Sequence, residues 1–230
     1  MKRVKSLVFN TFTLDDQLGA TDVDLVALLN NELYAEEKGA GFTKIRGDRM
    51  QAEAVLMKRN LTYIQEFDPL SQELVRKQIA VYTSVKFAID LSLGLLTVFG
   101  NQTQLNSVRA MLRNVAGLSY SSEPISLNAS GFNKILMDKE INSKIHQITI
   151  RQFNYDNGMV GRFSGDITKQ STAAELLERY GTGIVKIAFI ISVEEQELLV
   201  QILSNGNIKF LCEEEDFDYY LDYLKQIIFS

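Results

Sequence analysis

The stretch Glu197-Leu-Leu-Val-Gln-Ile-Leu203, Ser204-Asn-Gly-Asn207, Ile208-Lys-Phe-Leu-Cys212 sets the expectation for the fold. Two short runs rich in Leu, Val and Ile flank an Asn-Gly turn. That is the composition of a β-hairpin, because Asn and Gly accept the positive φ angles such turns require. A helix is expected from about Glu214 to the end of the chain. There Phe217, Tyr220, Leu221, Leu224, Ile227 and Ile228 recur at i, i+3, i+4 and i+7 as one apolar stripe. The acids Glu213-Glu-Glu-Asp216 stand where the positive end of a helix dipole favours them.

Two earlier stretches repeat this order. Val85-Lys-Phe-Ala-Ile-Asp-Leu91 and Leu95-Leu-Thr-Val-Phe99 flank Ser92-Leu-Gly94 and precede a helical pattern from about Gln102 to Ala116. Gln147-Ile-Thr-Ile-Arg-Gln-Phe153 and Met159-Val-Gly-Arg-Phe163 surround Asp156-Asn157-Gly158, followed by a short helix from Thr172 to Tyr180 in which Thr172 and Glu175 have capping-box spacing. The three stretches share no motif, so they express a structural preference and not a repeat family. They predict an α+β protein, with antiparallel sheet built from ββα units and helices packed on the sheet.

Outside these units, Val4–Phe12 reads as a strand and Thr21 opens an amphipathic helix to about Glu37. Residues 42–82 contain strand-like pieces such as Ala52-Glu-Ala-Val-Leu-Met57. Ile184-Val-Lys-Ile-Ala-Phe-Ile-Ile191 is apolar almost throughout, the signature of a strand covered on both faces and interior to a sheet. Its Lys186 is expected to carry its amine out to water. The Ser-rich segment Ser119–Gly131, with Pro124, is a candidate boundary between regions 1–120 and 121–230, or a loop within a single domain.

The composition is that of an ordinary globular protein: 230 residues, 46% hydrophobic and 23% charged, with mean hydropathy near zero at -0.04. The apolar run Leu7-Val-Phe9 is too short for a membrane span or signal core, and a lone cysteine, Cys212, permits no intramolecular disulfide. A cytoplasmic protein is the expectation. Net charge is -5, unevenly spread: residues 41–186 hold 18 basic and 13 acidic residues, whereas residues 187–230 hold nine acids against Lys209 and Lys225. This mild central excess permits a polyanionic partner without requiring one.

Catalytic motifs are sparse. The single histidine, His146, has no acid or cysteine at ligand or triad spacing, and Gly181-Thr-Gly183 precedes a strand, where a phosphate loop must follow one. The acid groups Asp15/Asp16, Asp22/Asp24 and Glu213–Asp216 fall at expected helix starts, where capping accounts for them. No catalytic residue, metal site or cofactor is assigned, although a carboxylate site assembled from distant segments stays open. Two surfaces stand out. Tyr219 and Tyr223, four apart and opposite the apolar stripe, suit a protein partner or a second copy of the chain. Gln102, Asn106, Arg109 and Arg113 flank the core stripe Leu105, Val108, Leu112 and Val115 and would suit nucleic-acid phosphates, with Lys44, Arg46, Arg49, Lys58 and Arg59 as a second basic cluster. The expected function is therefore a non-enzymatic binding or assembly protein, a subunit of a larger complex or a homo-oligomer. The alternative is a nucleic-acid-associated accessory protein.

Overall fold

The computed structural model describes residues 3–14, 24–117, 120–125, 127–155, 158–194 and 196–229. The chain divides into two compact units, neither contiguous in sequence.

One unit comprises Met1–Phe9, Gly100–Gln102 and Pro124–Ser230. Its strands are β1 (Arg3–Thr11, through Phe9), β8 (Ser143–Asn154), β9 (Val160–Asp166), β10 (Ile184–Val193), β11 (Gln196–Leu203) and β12 (Asn207–Cys212). They lie in the order β1-β12-β11-β10-β8-β9, every neighbouring pair antiparallel. The apolar run 184–191 does lie inside this sheet, with β8 on one side and β11 on the other. Lys186 stays half-buried and donates from Nζ to Gln147 Oε1 at 2.6 Å. At the β11–β12 turn Gly206 has φ +78° and the Asn205 side chain accepts from the Asn207 amide, so the Asn-Gly pair supplies both the conformation and a local hydrogen bond. The helices are α3 (Ala129–Asp138), α4 (Gln170–Tyr180) and α5 (Phe217–Phe229). Aromatic pairs tie two of them to strands: Phe132 lies against Phe189 at 5.3 Å, Phe217 stacks on Phe210 at 5.5 Å and Phe229 meets Phe9 edge-on at 5.2 Å.

The other unit comprises Asn10–Phe99 and Thr103–Glu123. Its strands β3 (Ala40–Gly47), β4 (Gln51–Asp68), β5 (Glu73–Asp90) and β6 (Leu95–Val98) lie in that order, again antiparallel. A small pair joins β2 (Thr13–Leu14) to β7 (Tyr120–Ser121). Helices α1 (Leu25–Asn30) and α2 (Gln102–Ala116, from Thr103 on) complete the unit. Its core holds Phe12, Leu25, Leu29, Phe42, Leu56, Phe87, Leu105, Val108 and Leu112, all nearly inaccessible, with the Phe42 and Phe87 rings 5.4 Å apart.

These findings overturn the ββα description. Half of the described residues are strand and 28% helix, so antiparallel sheet dominates and the helices are few. The hairpins are not self-contained units either, since β10 joins β8 to β11 laterally. Several boundaries are also corrected. The helix expected from Thr21 to Glu37 is only Leu25–Asn30, because Leu33 bridges to Phe42 and Tyr34 donates to the Phe42 carbonyl. Thr21 itself, with Asp15, Asp16 and Asp22, lies outside the described residues, as do Asp156 and Asn157. The helix expected from Thr172 begins at Gln170, with Lys169 at its N-cap and no side-chain cap. The Ser-rich segment 119–131 contains the whole of β7 and the first turn of α3, where Asn128 caps the Gly131 amide.

Candidate functional site

The longest elements of the chain carry its most unusual surface. β4 and β5 pair over their whole 18-residue lengths without a bulge, from Gln51 opposite Asp90 to Asp68 opposite Glu73. β3 accompanies β4 only as far as Lys58, paired with Ala40, and β6 accompanies β5 only from Phe87 to Asp90. Beyond those points the hairpin is a two-stranded ribbon, here termed the arm, roughly 30 Å long at ~3.4 Å per residue. Among the described residues no third strand pairs with it.

The root of the arm shows why the strands start where they do. On one face Ala52, Ala54, Leu56, Val85, Phe87 and Ile89 are buried, and the alternating residues on the other face are exposed or half-buried. This is the ordinary pattern of a sheet with one wet side. Past Leu56 the alternation ends and neither face is covered. Odd-numbered residues of β4 share a face with even-numbered residues of β5: Leu61, Tyr63, Phe67, Leu74 and Tyr82 stand on that side, Ile64, Val75 and Val81 on the other. Their exposures run from 40% at Ile64 to 63% at Leu74, and Leu70 at the tip is 96% exposed. Half of the large apolar side chains exposed among the described residues thus lie between Leu61 and Tyr82.

Polar contacts hold the ribbon in shape. At the tip Asp68 accepts from the Leu70 amide at 3.0 Å and the Ser71 hydroxyl at 2.9 Å, and its carboxyl is held below the usual range, first by the Leu70 amide. Gln72, at φ +58°, closes the turn by donating its amide to the Asp68 carbonyl. Along the ribbon Lys77 meets Glu66 at 2.7 Å, and the Arg76 guanidinium lies 3.9 Å from the centre of the Tyr63 ring. At the root Glu36 gathers three donors: Tyr34 at 2.6 Å, and Tyr82 and Arg59 each at 2.8 Å. The Tyr34 hydrogen bond, then that from Tyr82, pulls the Glu36 carboxyl below its ordinary value, and the same bond pushes the Tyr34 phenol up to about 12. Arg59 and Tyr82 are paired strand positions, so this cluster clamps the arm where it leaves β3.

Tyr219 is 49% exposed, but its hydroxyl donates to Glu194 at 3.2 Å and its ring meets Tyr220 edge-on. Tyr223 is half-buried, and burial raises its pKa. On α2, Asn106 and Arg113 are exposed while Gln102 and Arg109 are half-buried. The Arg109 guanidinium donates to the Ser122 carbonyl, and its Nε is buried without a hydrogen-bond partner. In the α2 core stripe Met111 is buried and Val115 only half-buried. Arg59 and Lys58 sit at the arm's root, while Lys44 lies on β3 with φ +53°. Among the described residues no three His, Cys, Asp or Glu side chains gather as a metal-binding set, and no helix is long and apolar enough to cross a membrane.

The paired length of the arm is not read from the sequence, where residues 42–82 show strand-like pieces such as Ala52–Met57 and Val85–Leu91 is matched with Leu95–Phe99 instead. A signal was present: Phe67/Leu74, Tyr63/Gln78 and Leu61/Ala80 are arranged symmetrically about the turn Pro69–Gln72, as a long hairpin demands. The sequence matches no protein-family model and no curated protein.

Proposed function

We propose that this is a non-enzymatic, cytoplasmic binding or assembly protein that engages another protein chain through the β4–β5 arm. The observation that carries the reading is the concentration of exposed Leu, Ile, Val, Phe and Tyr on both faces of one two-stranded ribbon. Contiguous apolar surface of this kind marks association sites on water-exposed proteins. Isolated two-stranded hairpins are marginal in water, so a ribbon this long gains stability when a further chain covers it. Tyr and Phe at the centre are also the residue types that anchor interfaces. Tyr219 and Tyr223 on α5 are a second proposed contact, of which Tyr219 offers the more accessible ring.

The test places a photo-crosslinking phenylalanine analogue at Tyr63 or at Phe67 in the full chain expressed in cells, with the same analogue at Asn106 on α2 as reference. Crosslinks to protein, identified by mass spectrometry and several times more abundant from the arm than from α2, are expected. Crosslinks to protein no more frequent than at Asn106 would overturn the reading. Crosslinks from Asn106 to nucleic acid, lost steeply as salt rises, would favour the nucleic-acid role of Gln102, Asn106, Arg109 and Arg113.

A further inference from the structure

We propose that the arm pairs edge to edge with the arm of a second copy of this chain, β4 against β4, antiparallel about a two-fold axis passing beside Ile64. The inference rests on the arm being a docking element and names its occupant.

The backbone defines which edge is open and over what length. The Arg59 amide donates to the Gly39 carbonyl, so the odd-numbered residues of β4 direct their N–H and C=O groups away from β5. Beyond Arg59 no strand among the described residues pairs with this edge, which leaves Leu61, Tyr63, Gln65 and Phe67 with outward backbone groups in the open span Asn60–Asp68. An unpaired edge of this kind is a template for another strand.

A two-fold axis perpendicular to the ribbon keeps its faces matched, so paired residue numbers must have an even sum. Centring the open span on Ile64 uses all of it. Leu61 then faces the second copy's Phe67 and Tyr63 its Gln65, which exchange about eight backbone hydrogen bonds. On the remaining positions Asn60 faces Asp68 and Thr62 faces Glu66, a donor opposite each carboxylate, with Ile64 against its own copy. No like charges stand opposed and no apolar side chain faces a charge. Moving the axis to Tyr63 shortens the pairing, because reaching Asp68 would require Lys58, which β3 already holds; moving it to Gln65 puts Ile64 against Glu66. The outer edge of β5 is less self-complementary. Centred on Ile79, it opposes Lys77 to Val81 and Glu73 to Val85, charges against apolar groups. Over the full open span of each edge, charge and polarity thus favour β4 centred on Ile64.

Sedimentation of the purified full chain over a range of concentrations should show a reversible monomer–dimer equilibrium. Gln65→Pro removes an outward amide without touching the β4–β5 ladder and should weaken the dimer on the order of tenfold or more, whereas Ala80→Pro, its counterpart on the β5 edge, should leave it intact. Register is tested independently of folding by oxidation. Ile64→Cys should form a symmetric disulfide, since directly opposed residues have Cα atoms within bridging distance. Thr62→Cys or Glu66→Cys should not crosslink alone, because each would lie roughly 13 Å from its own copy, but the two mixed should. A chain that stays monomeric at every concentration, or one that crosslinks through Ile79→Cys in place of Ile64→Cys, overturns the proposal. If the Tyr63 photo-crosslinks then identify a different protein, this inference fails while the binding role stands; if they identify none, both fail.

Discussion

Replacing residues 61–80 by Asn-Gly should remove the arm and leave a folded protein of nearly unchanged stability. Asn60 and Val81 are directly paired and, as an even-numbered β4 position, Asn60 turns its N–H and C=O toward β5, so a two-residue turn joins this hydrogen-bonded pair in the geometry that Asn-Gly favours. The Glu36 cluster is retained. A fully buried large apolar side chain contributes ~1.5 to 3 kcal/mol, but those of the arm keep between 40% and 96% of their surface in water. Their contribution is correspondingly reduced, and it is opposed by ordering both strands, the balance that leaves isolated hairpins marginal. The net change should fall within ~1 kcal/mol, which for a chain of this size shifts the melting temperature by no more than about 4 °C. Thermal and urea unfolding followed by circular dichroism measure it, and binding of a dye for apolar surface should fall together with any self-association. A melting temperature lower by 8 °C or more, roughly 2 kcal/mol, would show that the arm supports the fold and is not a projecting contact element.

Other perturbations should act in contrasting ways. Phe87→Ala, at a fully buried position against Phe42, should cost ~3 to 5 kcal/mol in urea unfolding. Gly47→Ala should destabilise the β3–β4 turn by ~2 kcal/mol or more in the same measurement, because Gly47 has φ +128° and a Cβ there would lie 2.1 Å from the Gln51 carbonyl oxygen. Tyr219→Ala should change stability by no more than ~0.5 kcal/mol and Tyr223→Ala by more, since only Tyr223 is half-buried. Because the Glu36 carboxyl is lowered in the folded state, its stabilisation is present above the ordinary carboxylate range and lost as pH falls through the lowered value; Tyr34, raised to about 12, acts oppositely, its share present below the usual phenol range near 10 and lost as pH rises through about 12. Thermal melts of Glu36→Gln should therefore differ from wild type between pH 5 and 9 and converge with it in strong acid.

How much of this was legible depended on whether a segment had a core to face. Ile184–Ile191 read as interior because both its neighbours, β8 and β11, leave it no wet edge. The α5 stripe read clearly because Tyr220, Leu221, Leu224 and Ile227 all turn to one buried side. Short α1 failed for the opposite reason: its apolar periodicity runs on past Asn30, but Tyr34 and Glu32 already exchange backbone hydrogen bonds with Phe42. A tertiary strand contact ended the helix where local propensity would have extended it. The phosphate-contacting face suggested on α2 shows a similar limit, since periodicity places Arg109 on the polar flank but does not reveal that the Ser122 carbonyl takes its guanidinium.

The arm lay beyond such a reading because strand recognition depends on one face being wet and the other dry. Between Lys58 and Ser84 both faces are wet, so Leu61, Tyr63 and Phe67 alternate with Thr62, Ile64 and Glu66 in no pattern that a core would impose. What persists is symmetry about the turn, which specifies pairing between two segments and says nothing of a buried side. The loss of alternation is itself informative. In a strand that serves only its own fold, exposed positions can be polar at no cost to packing, and charge along open edges suppresses unwanted pairing. Here the edge residues of β4 from Leu61 to Phe67 are mostly apolar or uncharged, and the acids Glu66 and Asp68 are the positions that Thr62 and Asn60 would oppose in the self-paired register. The same residues that obscure the strand in the sequence are those an intermolecular strand would require.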